Sequence, residues 1–208
     1  YRPFRPRRRT RATIAKERGL EPLADFIWLQ KLSDTLQNTA KSFLNEEKGV
    51  QTVEEAIAGA KDILAERISD DADLRKLLRK ETIKSGFLTA KATDDTKQSV
   101  YEMYYSFQEP VKKVAGHRVL AINRGEKEEF LTVKIVLEEE YKLLQKLEQK
   151  LVLAQSDTRQ VLQEVIADSY KRLIAPSLER EIRNDMTEAA EENAIKVFRE
   201  NLKQLLLQ

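Results

Sequence analysis

The sequence predicts a mainly α protein: a multi-helix bundle with helix-turn-helix-like pairs, one small two-stranded β element and a long C-terminal helix. Three observations carry that prediction. Charged residues make up 35% of the 208-residue chain and apolar ones 41%, a mixture that suits amphipathic helices with solvated outer faces. Only six glycines and five prolines punctuate it, fewer than the turns of a many-stranded fold require. Apolar residues also recur at spacings of three and four behind recognisable cap signals.

The elements follow in order. YRPFRP at the start is extended, because Pro3 and Pro6 fix their own φ and push their neighbours out of the helical region. Thr10 caps a short helix that Gly19 ends in the C′ position. Pro22 opens a second helix carrying Leu23, Phe26 and Ile27, and Trp28 and Leu29 make it apolar nearly all round, which predicts burial. In TVEEAIAGAKDILAERI, Thr52 and Glu55 form a capping box ahead of a Val53, Ile57, Ala60, Leu64 stripe. Asp70 or Asp71 caps the next helix, with Leu74, Leu77 and Leu78, which stops near Gly86.

The middle is less regular. FLTAKAT after Gly86 and LTVKIVL at 131–137 alternate as strands do, and two strands need each other and a helix beneath them. Between them HRVLAINRGEKEEF is open to two readings, a strand before a loose turn or, slightly favoured, a short helix closed by Gly125 at C′. From Glu138 the chain is helical to its end. Ser156 or Asp157 caps a helix with Val161, Leu162, Val165 and Ile166, and Ala175-Pro176 breaks it.

Pro176 begins an uninterrupted 33-residue pattern, about 50 Å long as helix. At 100° per residue, Leu178, Ile182, Met186 and Ala189 share one side, while Ile195, Phe198, Leu202 and Leu206 share nearly the opposite one. A coiled coil keeps one seam, so this helix is expected to meet two different bodies. The missing initiator methionine and the uncovered leucines of QLLLQ are those expected of an excised piece of something larger. The expected organisation is a basic arm and first helices over 1–50, a helical middle with short strands over 51–137, helices packing on the core over 138–175, and the long helix over 176–208.

Several function classes are excluded. The chain has no cysteine and one histidine, which removes disulfides, thiolate chemistry and the usual zinc sites. No run approaches 18 apolar residues, and no apolar stretch follows the basic N-terminus as in a signal peptide, so a cytoplasmic location without membrane contact is expected. A phosphate-binding loop needs glycines five apart before Lys-Ser/Thr, and the closest pair here, Gly116 and Gly125, is nine apart. SDDAD at 69–73 lacks the glycine and terminal glutamate of a calcium loop and reads as a helix cap. YEMYYSF at 101–107 offers either a stacking platform for bases or, the favoured reading, three tyrosines on one helix face sealing a core, and His117 reads as packed or capping. No enzyme, metal, cofactor or small-molecule substrate is expected.

The net charge of +2 conceals an asymmetry. Residues 1–18 carry eight basic side chains against one acid, +7, leaving 29 basic and 34 acidic residues elsewhere, −5. Arg5, Arg7, Arg8, Arg9 and Arg11, interleaved with Tyr1 and Phe4, are therefore the candidate nucleic-acid-binding residues. The other reading of the same block is a proline-stiffened wrap over an acidic protein surface.

The stretches KRLIAPSLEREIRNDMTEAAEENAIKVFRENLKQLLL, HRVLAINRGEKE and YRPFRPRRRTRATIAKERGLEPLA resemble the bacterial transcription accessory protein family Tex, a relative of a eukaryotic elongation factor and histone chaperone. The likeness runs through essentially the whole chain. The family's loop usually reads RGEKEG, whereas Glu129 and Phe130 follow here, which leaves that turn's geometry open. The resemblance implies a multi-domain protein. In it, this helical region precedes a YqgF resolvase-like domain, a helix-hairpin-helix region and an OB-fold RNA-binding domain. It further implies a non-catalytic scaffold, with RNA or DNA bound mainly by the later domains and the Pro176 helix as a long central helix. An alternative is a protein-interaction module docking on the transcription or translation machinery.

Overall fold

The computed structural model describes residues 8–31, 35–153 and 157–208. The expectations for Tyr1, Pro3, Phe4, Arg5, Pro6, Arg7 and Ser156 lie outside the described residues. In order, the chain forms α1 (Arg11–Glu17), α2 (Glu21–Leu29), α3 (Leu36–Lys41), α4 (Val53–Ser69), α5 (Ala72–Ser85), β1 (Phe87–Ala92), β2 (Ser106–Pro110), α6 (Gly116–Lys127), β3 (Leu131–Val136), α7 (Glu140–Leu151), α8 (Arg159–Asp168) and α9 (Ala175–Leu206). It is mainly helical, with one small sheet and a long C-terminal helix. Two compact units divide it: one draws on the residues up to 75 and on 141–175, the other on 76–140 and 176–208.

The first unit is built on α4. Thr52 Oγ1 accepts the Glu55 N–H at 3.1 Å, satisfying an orphan donor of the first turn, and Glu55 reaches back to the Gln51 N–H just ahead of the cap at 2.8 Å. Ile63, Leu64 and Ile68 meet Leu20, Leu23 and Ile27 in a core closed by Leu147, Leu162 and Ile166, all essentially without solvent exposure. Thr10 caps α1 as expected, and Gly19 supplies the left-handed turn after it with φ +77°. Leu29 is 57% exposed, so α2 is one-sided, against the expected all-round burial. The reason is Gln30, in the left-handed region at φ 52°, which ends the helix and turns its amide to the α7 end. Gln30 donates to the Leu151 carbonyl and accepts from the Leu153 N–H, each at 2.8 Å.

Residue 158, not Asp157, occupies the N-cap position of α8, and the buried Thr158 hydroxyl donates to the Ile27 carbonyl at 3.3 Å. No break occurs at Ala175-Pro176. Helical bonding continues through a π-turn over Ser169–Ile174, in which the Ala175 N–H reaches the Tyr170 carbonyl five residues back. Widening the helix there accommodates the proline's missing N–H and its ring, so the chain runs on as helix from Arg159 to Leu206.

In the second unit both expected strands form, and β2 adds a third. The sheet is antiparallel with order β2-β1-β3, pairing Thr89 with Gln108 on one side and Lys134 on the other. One face covers a core of Leu88, Ala90, Tyr101, Tyr104, Ile122, Leu131 and Val133. Tyr101 and Tyr104 are buried in that core and Tyr105 packs against it, as expected, but they do so from a 3-10 turn over Glu102–Tyr104 that feeds into β2 and not from one face of a longer helix. α6 runs to Lys127, past Gly125, which sits inside the helix: a Cβ there would lie 2.5 Å from Leu131 Cδ1, so the glycine serves close packing and not a C′ turn. Glu129 takes the left-handed turn instead, with φ 66°. Leu178, Ile182 and Ala190 of α9 are buried, whereas every residue from 191 onward is exposed.

Candidate nucleic-acid interface

Of the five candidate arginines, Arg8, Arg9 and Arg11 are described, and all three are exposed beside α1. Arg9 Nη2 donates to Glu17 Oε2 at 2.8 Å, with the two side chains 68% and 55% exposed. A pair so open to water is worth about 0–1 kcal/mol, so an incoming phosphate competes with Glu17 on nearly even terms. Asp62 of α4 feels the charge of Arg11. Burial raises the Asp62 pKa above its ordinary value, while Arg172 and Arg11 act in the opposite direction. Arg172 in turn donates to both Asp168 oxygens at 3.0–3.3 Å and stands 4.0 Å from Asp62. Thr10 caps α1 and also donates to Glu66 Oε2 at 2.9 Å. The described arginines thus lie along an acidic α4–α8 surface and keep their outer sides in water.

The remaining candidates have structural uses. Asp71 Oδ1 accepts the Leu74 N–H at 2.9 Å, the cap expected of SDDAD. His117 is exposed in the first turn of α6, neither packed nor capping, because α6 turns Val119 and Ile122 to the core instead. Tyr101 donates to Glu128 Oε2 at 2.6 Å, and its burial, followed by that carboxylate, raises the phenol's pKa. Among the described residues no group of three or more His, Cys, Asp or Glu side chains is placed to hold a metal ion, and no helix is long and apolar enough to cross a membrane.

Two features were not legible in the charge pattern. In the second unit Arg183 donates a fork to Glu126 (2.8 and 2.9 Å) and reaches Asn123 Oδ1 at 3.1 Å, at a hollow of about 480 Å³ beside Thr187. Nothing local in the sequence joins 126 to 183. The other is the open face of the sheet, where Thr89, Lys91, Thr132 and Lys134 alternate with the core residues. Their alternation was readable within each strand, but the lateral order required the missed β2.

The sequence profile of the Tex central region-like family matches residues 32–198. The chain is 50% identical to the Bacillus subtilis protein YdcI over 212 residues, covering all of this chain and 29% of that protein. It is 34% identical to Protein tex of Bordetella pertussis, again over its whole length and 28% of the relative. It is 30% identical to the human S1 RNA-binding domain-containing protein 1, over 95% of this chain and 21% of that protein. The chain therefore spans less than a third of the length of these relatives. With the profile running from the start of the α3 region well into α9, the chain belongs to the Tex central region-like family.

Proposed function

We propose that this chain is a non-catalytic helical scaffold region of a Tex-like transcription accessory protein, working in the cytoplasm of the cell within a protein that binds RNA or DNA. The observation that carries the reading is α9. Its first half is anchored in the second unit by Leu178, Ile182 and Ala190, and its second half presents Ile195, Phe198, Leu202 and Leu205 at spacings of three and four, 46–68% exposed. A helix that is core at one end and an uncovered apolar row at the other is suited to join bodies, not to hold a substrate. The human relative, S1 RNA-binding domain-containing protein 1, supports by its name nucleic acid as the ligand of the longer protein. Arg8, Arg9 and Arg11 then act as an auxiliary contact, with Arg9 exchanging Glu17 for phosphate. The single exposed histidine and the lack of cysteine support the absence of catalysis.

The same apolar row also favours a second reading, a module docking on a protein of the transcription or translation machinery. One experiment separates these. In a full-length Tex-type protein carrying this region, Phe198→Glu with Leu202→Glu lowers the melting temperature if the row is covered within the chain. Unchanged melting together with loss of a co-purifying protein partner supports docking. Unchanged melting with no lost partner refutes the scaffold reading.

A further inference from the structure

One face of the three-stranded sheet is occupied by the core and α6, and the other is open. The register fixes what stands there: Lys91 between Ser106 and Thr132, Thr89 between Gln108 and Lys134, and Phe87 between Pro110 and Val136. Lys91, Ser106, Gln108, Thr132 and Lys134 are exposed, and Phe87 is half-buried on the central strand. Lys91 and Lys134 are diagonal neighbours on adjacent strands, so their backbones are about 7–8 Å apart and their ammonium groups share one surface.

The charge balance of this face is one-sided. Among the described residues neither lysine makes an ion pair, and neither do Lys84, Lys112 and Lys113, which are exposed where the chain enters β1 and leaves β2. One of the nearby carboxylates is ion-paired away from this face, and two hydrogen-bond neutral groups and keep their charge. Glu109 points to the opposite side and pairs with Arg118, Glu138 accepts from Gln108 Nε2 at 3.2 Å, and Asp94 accepts the Thr96 hydroxyl and N–H at 2.6 and 3.0 Å. Phe87 stands half-buried on the middle strand between Pro110 and Val136, a small apolar shelf next to lysines that make no ion pair among the described residues and to the Ser106 and Thr132 hydroxyls.

We propose that this open sheet face is a platform for single-stranded nucleic acid, with Phe87 stacking a base and Lys91 and Lys134 meeting the flanking phosphates. The inference rests on the nucleic-acid reading above and assigns a surface on this chain to it. An aromatic ring offers a face that any unstacked base fits, which a duplex does not present. Ser106 and Thr132 add hydroxyls on the flanking strands, suited to phosphate or sugar oxygens, while the Thr89 hydroxyl donates to the Lys134 carbonyl at 3.0 Å. An acidic protein segment would use the lysines and leave Phe87 without a role.

The test is fluorescence anisotropy of labelled oligouridine and oligothymidine with the 208-residue chain across a salt series. The variants are Lys91→Gln with Lys134→Gln, Phe87→Leu, and Arg8→Gln with Arg9→Gln and Arg11→Gln. The lysine pair is expected to reduce the log–log salt slope by about 1.4, at roughly 0.7 per single-strand contact. Phe87→Leu keeps the apolar volume and is expected to weaken binding on the order of tenfold with the slope unchanged. Binding lost only in the arginine variant overturns the sheet platform and leaves the nucleic-acid reading intact. Absence of binding by the wild-type chain also overturns it, while the melting test of the longer protein remains independent. Equal competition by polyglutamate, with Phe87→Leu inert, overturns it in favour of an acidic protein partner.

Discussion

The two halves of α9 are made of similar residues and live in opposite environments. Over Pro176–Ala190, Leu178, Ile182 and Ala190 are buried, and Arg79 pairs with Asp185 while Arg183 clasps Glu126. Over 191–207, Ile195, Phe198, Leu202, Leu205, Leu206 and Leu207 are all exposed, although they are on average the larger side chains. Helix propensity and periodicity do not distinguish the halves. What differs is whether another element of the unit arrives to remove water from the stripe, and burial is where helical segments draw most of their stability.

That contrast is open to attack in steps. The largest effect is expected from Ile182→Ala, which leaves a cavity in the anchored half: a loss of about 2–5 kcal/mol by urea denaturation. A loss under about 1 kcal/mol would mean the first half is no better anchored than the second. Next is Gly116→Val in α6. A Cβ at 116 would lie 3.2 Å from Ala190 Cα, so overpacking of about 1–3 kcal/mol is expected at the last buried residue of α9. Stability equal to wild type would show that the α6–α9 contact is loose.

Glu129→Gly sharpens the comparison at the far end of α6, which Arg183 holds through Glu126. Glu129 sits at φ 66°, where a Cβ is strained, so the glycine variant is expected to gain about 1 kcal/mol in the same assay. A loss would mean that Glu129's side chain compensates its backbone. Arg183→Lys keeps the charge but not the fork, and a loss of about 1 kcal/mol or less is expected, because the partner Glu126 is 39% exposed. The smallest effect belongs to the second half: Leu206→Ser, at 78% exposure, is expected to change the stability of this chain by under about 0.5 kcal/mol. A loss of several kcal/mol would show that the row is already covered, by a second copy of the chain.

Much of the fold was legible because its signals are local. Thr10, Thr52 and Asp71 cap their helices through their own nearest N–H groups, and Gly19 adopts the one conformation that makes a glycine worth placing after a helix. The errors came where a residue answers to distant neighbours. Gly125 looks like a helix stop, yet it is a gap kept open for Leu131 and Tyr101. Pro176 looks like a break, yet the π-turn before it absorbs the ring. Leu29 looks buried by composition, yet Gln30 ends α2 before that face is covered. β2 is five residues long with one proline and no clean apolar alternation, so its pairing depends on β1 being there to receive it. For the candidate interface, the arginine block was obvious as charge, but its Glu17 and Asp62 neighbours were not, nor was the lateral assembly of Phe87, Lys91 and Lys134.

By itself the sequence determined most of the helices, the caps at Thr10, Thr52 and Asp71, two of three strands and the change of apolar side along α9, since each depends on residues within a few positions of one another. Only the tertiary structure decided which stripe is covered, which glycine is a turn and which a contact, and which lysines stand unpaired on one face. Those outcomes depend on residues dozens of positions apart being brought within a few ångströms, and no local pattern encodes such a meeting.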